Sequence, residues 1–281
     1  MDISLKNCLP VKDYIMENIA SHYDKKSRNY DEVFDTFYFK VYDAVTWKYL
    51  EPYVSADGLV LDAACGTGRW SIRMAEKGCN VTSVDISEGM LAIADKKIKE
   101  RNLQSKIALK KSDITKMDFP DNSFEMVVCE HALFLFEEPD ILMRELKRVL
   151  KPNAPLIISA QNRYVHALSS IPDKPHPNEL NQALEYLKRQ KFTSMTRDNQ
   201  VRVYTWSPFE FREMLERNGL HVEKIVGKCI TMPLRIKEEV YSKTTFSEDL
   251  LSSVLKFEFA LCEKPESLAL AGHMQAIAFK R

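Results

Sequence analysis

The chain has 281 residues, 45% hydrophobic and 28% charged, which suits one large globular unit or slightly more. Its 40 Lys and Arg balance its 40 Asp and Glu, so no global basic field exists to gather nucleic acid. Six Cys at irregular spacing, with no C-x-x-C pair, point to free thiols rather than to disulfides or a zinc site, and so to the cytoplasm.

The N-terminal Met1-Asp2-Ile3-Ser4-Leu5-Lys6 lacks the apolar core of a signal peptide, and no run approaches a membrane span. Tyr14, Ile15, Met16, Ile19 and Ala20 suggest a short helix. From Ser27 to Tyr53 the chain is rich in aromatics, and positions 34, 38, 42, 45 and 49 recur at helical spacing. A helix or helix pair follows from this, its stripe packing on a sheet.

Leu59-Val60-Leu61 is a short apolar run of the kind a buried parallel strand shows. Gly66 and Gly68 come next, where a backbone turns tightly and leaves room for a ligand. Ser71 to Lys77 then reads as a helix closed by Gly78. Val81 to Val84 forms a second strand with Asp85 at its end. Strand, glycine turn, helix, strand and terminal acid make the nucleotide half of a doubly wound sheet, with Asp85 placed to accept from ribose hydroxyls. The third glycine of G-x-G-x-x-G is replaced by Ser71, and no Tyr-x-x-x-Lys pair occurs, which weighs against a dehydrogenase.

Ser87 is a helix N-cap, with Met90, Leu91, Ile93, Ala94 and Ile98 on one face. Ile107 to Lys111 is the third strand, leading to Ser112-Asp113-Ile114. Phe124 to Cys129 is the fourth, followed by Glu130 and His131. A helix over Pro139–Leu150 ends at Lys151-Pro152-Asn153, where Asn153 tolerates a left-handed backbone, and Leu156 to Ala160 is the fifth strand. Ser207-Pro208 starts a helix that Gly219 ends, and His221 to Ile230 is the sixth strand. Met274 to Lys280 is the last. Helical runs at Glu179–Lys191 and Ser247–Glu263 lie in two insertions, at about 163–205 and 231–270.

Asp62-Ala63-Ala64-Cys65-Gly66-Thr67-Gly68 resembles the first motif of the class I S-adenosylmethionine (SAM) dependent methyltransferases, of the type 11/25-like kind. Arg144 to Pro152 resembles the helix-to-strand signature of the same family. Ala64 stands where the family more often has glycine, and it fits if its φ is negative. The resemblance implies a Rossmann-like, doubly wound α/β fold with seven strands, the last antiparallel. It also implies an N-terminal helical lid over residues 1–54 and a SAM-binding domain over 55–281 carrying the two insertions.

It further implies cofactor contacts from Tyr30, Asp62, Ala64, Cys65, Gly66, Gly68, Asp85, Ile86, Met90, Ser112, Asp113, Ile114 and Glu130. Asp113 would accept from the adenine amine, and Ile86 and Met90 would flank the ring. Arg28 or Tyr30 would reach the SAM carboxylate. Acceptor contacts fall to His131, Phe136, Tyr164 and His166, with His131 the candidate general base. The expected activity is metal-independent methyl transfer to a small molecule. A tRNA or protein methyltransferase and a non-catalytic SAM-binding activator stand as alternatives, and a homodimer is left open.

Overall fold

The computed structural model of the chain describes residues 11–172, 174–188, 194–195, 202–231 and 247–281. Seven strands form the central sheet: β1 (Leu59–Ala63), β2 (Asn80–Asp85), β3 (Ile107–Lys111), β4 (Met126–Cys129), β5 (Pro155–Gln161), β6 (Leu220–Lys228) and β7 (His273–Lys280). Their order is β3-β2-β1-β4-β5-β7-β6. The first five are parallel, and β7 runs antiparallel to both of its neighbours. The strand order reverses between β1 and β4, and open parallel sheets bind ligands at the carboxyl ends beside such a switch point.

Parallel strands buried on both faces need apolar side chains on both. Val60, Leu61, Val127, Val128, Ile157 and Ile158 meet that need at 0–2% exposure. Helices α2 (Phe37–Leu50), α3 (Arg69–Ala75), α4 (Glu88–Glu100) and α9 (Glu248–Leu261) pack with one face of the sheet. Helices α5 (Pro139–Val149) and α8 (Pro208–Arg217) cover the other through Leu142, Leu146, Phe211 and Leu215. Helix α1 (Val11–Lys26) precedes a 3-10 turn over Ser27–Asp35, and Thr36 in extended backbone separates that turn from α2. The aromatic stretch is therefore a broken pair. Phe37, Tyr38, Tyr42, Trp47 and Tyr49 pack into the core, as a core-facing stripe does.

Local chemistry explains the boundaries. Ser207 caps α8 by accepting from the Glu210 N–H, Glu210 returns a bond to the Ser207 N–H, and Pro208 occupies the first turn. Gly219 follows at φ 74°, and Asn153 takes the left-handed region at φ 58°. The helical run expected to Lys191 is α7 (Pro177–Lys188) as far as it is described. The rest of it lies outside the described residues, as do positions 189–193, 196–201 and 232–246 of the two insertions. Among the described residues no helix is long and apolar enough to cross a membrane. Cys65, Cys79, Cys129, Cys229 and Cys262 are buried free thiols.

Asp62, 1% exposed at the inner end of β1, accepts from the Ser71 hydroxyl at 2.5 Å, and Ser83 donates to Ser71 at 2.8 Å. This chain ties β1, α3 and β2 together under the glycine turn. Burial pushes the Asp62 carboxyl up to about 7, against the pull of its Ser71 bonds. A carboxyl raised in the folded state binds a proton there that the unfolded chain has already released, so stability falls as the pH rises through that window. Wild type should therefore lose stability relative to Asp62→Asn between about pH 4 and about pH 7, and hold a constant difference above it. Urea midpoints across that range test this, and a flat difference would show that Asp62 is ionised throughout.

Candidate functional site

A cavity opens above the carboxyl ends of β1, β2 and β4, with about 830 Å³ of space outside protein atoms, its mouth included. Its floor is the turn after β1. Gly66 and Gly68 sit at φ 54° and 79°, and Ala64 at φ 63°. The condition under which Ala64 fits without strain, a negative φ, is thus not met. The turn needs three left-handed residues in five, and Ala64 carries the cost that glycine would avoid. With Gly66 left-handed, its N–H donates to Asp85 Oδ2 at 2.8 Å, and the Ser87 N–H donates to Oδ1 at 2.9 Å. Asp85 is 8% exposed, and burial raises its carboxyl above the usual range despite these bonds.

Of the residues singled out from the sequence, Tyr30, Ala64, Cys65, Gly66, Asp85, Ile86, Met90, Ser112, Asp113, Ile114, Glu130, His131 and Phe136 share the wall of this one cavity. Four do not. Asp62 lies beneath the turn and bonds to Ser71. Gly68 caps α3, and a Cβ there would come within 3.2 Å of Ala94 Cβ, so its bareness serves packing. Tyr164 and His166 belong to a short helix α6 (Arg163–Ser169), which packs on α7 and the 265–270 turn rather than over the cavity. Tyr164 is 39% exposed. Arg28 is also exposed and away from the wall.

Several wall residues were not anticipated. Ile19, Tyr23 and Phe34 reach the cavity from the segment before β1, and Arg69 enters from the first turn of α3. The Arg69 guanidinium donates to both oxygens of Asp43 at 2.7 and 2.9 Å and lies 3.7 Å from the Phe34 ring centre. A cation directly after a glycine turn was the available signal. The N-terminal segment is fastened at two points. Asp24 accepts from the Ser87 hydroxyl at 2.5 Å and from the Gly89 N–H at 2.9 Å, completing the N-terminus of α4. Asp31 accepts from Thr67 at 2.6 Å and from Lys97.

Below the cavity lies a buried polar cluster. Lys228, 0% exposed, donates to Glu130 Oε2 at 2.8 Å and to Thr46 at 3.1 Å. Tyr42 donates to the same Glu130 oxygen at 2.8 Å. His131 holds φ 58°, uncommon for any residue but glycine, and its N–H donates to Ser159 Oγ at 2.8 Å. Burial, then the charges of Arg69 and Lys228, push the His131 imidazole down to about 3. It is neutral at physiological pH and a weak proton acceptor. Burial first, and the two cations after it, thus weigh against the general-base role expected for His131.

Residues 61–158 match the family model described as methyltransferase domain. The demethylmenaquinone methyltransferase of Lactobacillus johnsonii is 33% identical over 156 residues, 54% of this chain and 62% of that protein. The chain thus spans less than two thirds of the length of the curated relatives it matches. Among solved structures, a SAM-dependent methyltransferase of Methanosarcina mazei matches at TM-score 0.56 and 18% identity, over 83% of this chain and 96% of that one. Phosphoethanolamine N-methyltransferase 2 of Haemonchus contortus, solved with SAM, matches at TM-score 0.60 and 17% identity, over 98% of this chain and 61% of that one. At such identities the structural likeness bears on the fold alone.

The Ala64 backbone gives a direct test. Ala64→Gly should stabilise the protein by about 0.5–1 kcal/mol, the relief of left-handed strain less the extra entropy glycine loses on folding. A urea midpoint that falls instead would mean that the left-handed conformation at 64 is not held in solution.

Proposed function

We propose that this chain, whose residues 61–158 match the methyltransferase domain model, is a class I SAM-dependent methyltransferase that moves a methyl group to a small organic acceptor bearing an O, N, S or C nucleophile. The observation that carries this reading is the Asp85 carboxylate. It is buried at the end of β2 and fixed by two backbone N–H groups. An ionised carboxylate has about four lone-pair sites. Two are used here, and two fit a pair of vicinal ribose hydroxyls.

The remaining wall fits SAM in turn. Ile86, Met90 and Ile114 supply flat apolar sides for adenine. Asp113 keeps one oxygen for the adenine amine, because Oδ1 already accepts from the Thr115 N–H and hydroxyl. A Cβ on Gly66 would sit 3.7 Å from the Tyr30 ring, in the gap a cofactor tail would fill. Arg69 and Tyr30 face that gap and suit a carboxylate. When bound, SAM supplies an electrophilic methyl on a sulfonium sulfur.

The work left to the protein is then mostly placement, since alignment alone supplies much of a displacement's acceleration. Tyr23, Tyr30 and Phe34 would exclude water from above, held down by Asp24 and Asp31, so the segment before β1 acts as a lid. His131 and Phe136 stand where an acceptor would rest, His131 as a neutral positioning group. The relatives named for demethylmenaquinone support a small-molecule acceptor, as does a concave cavity walled by both apolar and polar side chains. The buried free thiols favour a reducing compartment, and we place the protein in the cytoplasm.

Calorimetric titration with SAM and with its demethylated product S-adenosylhomocysteine (SAH) tests the assignment. Both should bind, and Asp85→Ala should weaken both by about 1.5–3 kcal/mol, or about 10–150-fold. An Asp85→Ala protein that is folded and binds SAM as tightly as wild type would remove Asp85 from the site.

A further inference from the structure

Glu130 is anchored on one side only. Its Oε2 takes Lys228 at 2.8 Å and Tyr42 at 2.8 Å. Its Oε1 is buried and has no hydrogen-bond partner among the described residues. The residue lines the cavity and is 5% exposed. A carboxylate oxygen left in this state costs about 1–3 kcal/mol or more, so a protein that keeps it gains a partner elsewhere. The next residue, His131, is held in a left-handed conformation and also leaves a buried nitrogen, Nδ1, without a partner among the described residues. Strained backbone and orphaned polar atoms on adjacent wall residues mark a place built for a ligand rather than for packing.

We propose that Glu130 is the residue that recognises the acceptor: its Oε1 receives the O–H of a neutral, hydroxyl-bearing molecule, while Lys228 and Tyr42 are positioning residues that hold Oε2. This rests on the methyltransferase reading and names the acceptor class it left open. It also moves Glu130 from the cofactor contacts, where the sequence had placed it, to the acceptor.

Charge decides the class. Glu130 and Lys228 cancel one another in a sealed pair, with side chains 1% and 0% exposed. Arg69 is the cation at the cavity wall among the described residues, and Asp43 pairs with it through both oxygens. A protonated amine has no lone pair to attack the methyl, and it would bring a second cation beside the sulfonium. A carboxylate acceptor would meet Glu130 at close range. A hydroxyl offers the donor that Oε1 lacks, and carries no charge into a region of low dielectric. Phe136 and Leu135 provide the apolar wall beside it.

The experiment uses full-length protein saturated with SAH and titrated calorimetrically with 2-naphthol, and separately with its methyl ether, which has no O–H. Wild type should bind the naphthol on the order of tenfold more tightly than the ether, the usual scale of a hydrogen bond to a charged group. In Glu130→Gln, Lys228 and Tyr42 are both donors and claim the amide oxygen. That turns the NH₂, a donor, toward the cavity, so the preference should vanish or reverse while SAH affinity stays within about twofold.

Equal binding of the two probes by wild type would overturn the proposal, whether or not the variant folds. So would naphthol failing to bind a protein that binds SAH, or a preference that survives in Glu130→Gln. A tenfold loss of SAH affinity in Glu130→Gln would return Glu130 to the cofactor and end the proposal in that way. Failure of wild type to bind SAH at all would instead strike the methyltransferase reading, and this inference with it.

Discussion

The hydrogen bond from the Gly66 N–H to Asp85 joins the ends of β1 and β2, and much of the site hangs from it. It forms only if the backbone leaves β1 through left-handed conformations, which Ala64, Gly66 and Gly68 supply. Once made, it fixes a buried carboxylate at the place where the strand order reverses. The same turn starts α3, so Arg69 enters the cavity from the helix's first residue. It also brings Thr67 to Asp31, one of the two points at which the N-terminal segment is fastened. A single backbone requirement therefore sets the floor, one wall and part of the roof.

Beneath this, the structure accepts a cost that a purely apolar core would avoid. Burying an ion pair such as Lys228 and Glu130 is repaid in stability only if the remaining bonds are met. Thr46 and Tyr42 meet most of them, and Glu130 Oε1 is the exception. The cluster links α2, β4, β5 and β6, so it also ties the helix that follows the N-terminal segment to the strand ends below the cavity. Rigidity at that depth suits a reaction governed by alignment, because small misplacements cost rate steeply.

The β1–turn–β2 unit was legible in the sequence because its signals are local: a short apolar run, two glycines and an acid within 27 residues of chain, Leu59 to Asp85. The residues at the ends of β3 and β4 were legible for the same reason, once the strands were placed. What escaped depends on distance along the chain. Lys228 meets Glu130 across 98 positions, and nothing near Lys228 announces the partner. Tyr164 and His166 follow β5 directly and looked well placed, yet Asn162 caps a helix there that carries them toward α7. Alanine at position 64 fits without strain only at negative φ, and the demands of the turn override that preference.

The most direct test of the account is a crystal structure of the protein with SAH. The account predicts both ribose hydroxyls within about 3 Å of the Asp85 carboxylate, adenine between Ile86 and Ile114, and the sulfur facing Glu130 and His131. Density for SAH elsewhere on the protein, or none at saturating concentration, would contradict it.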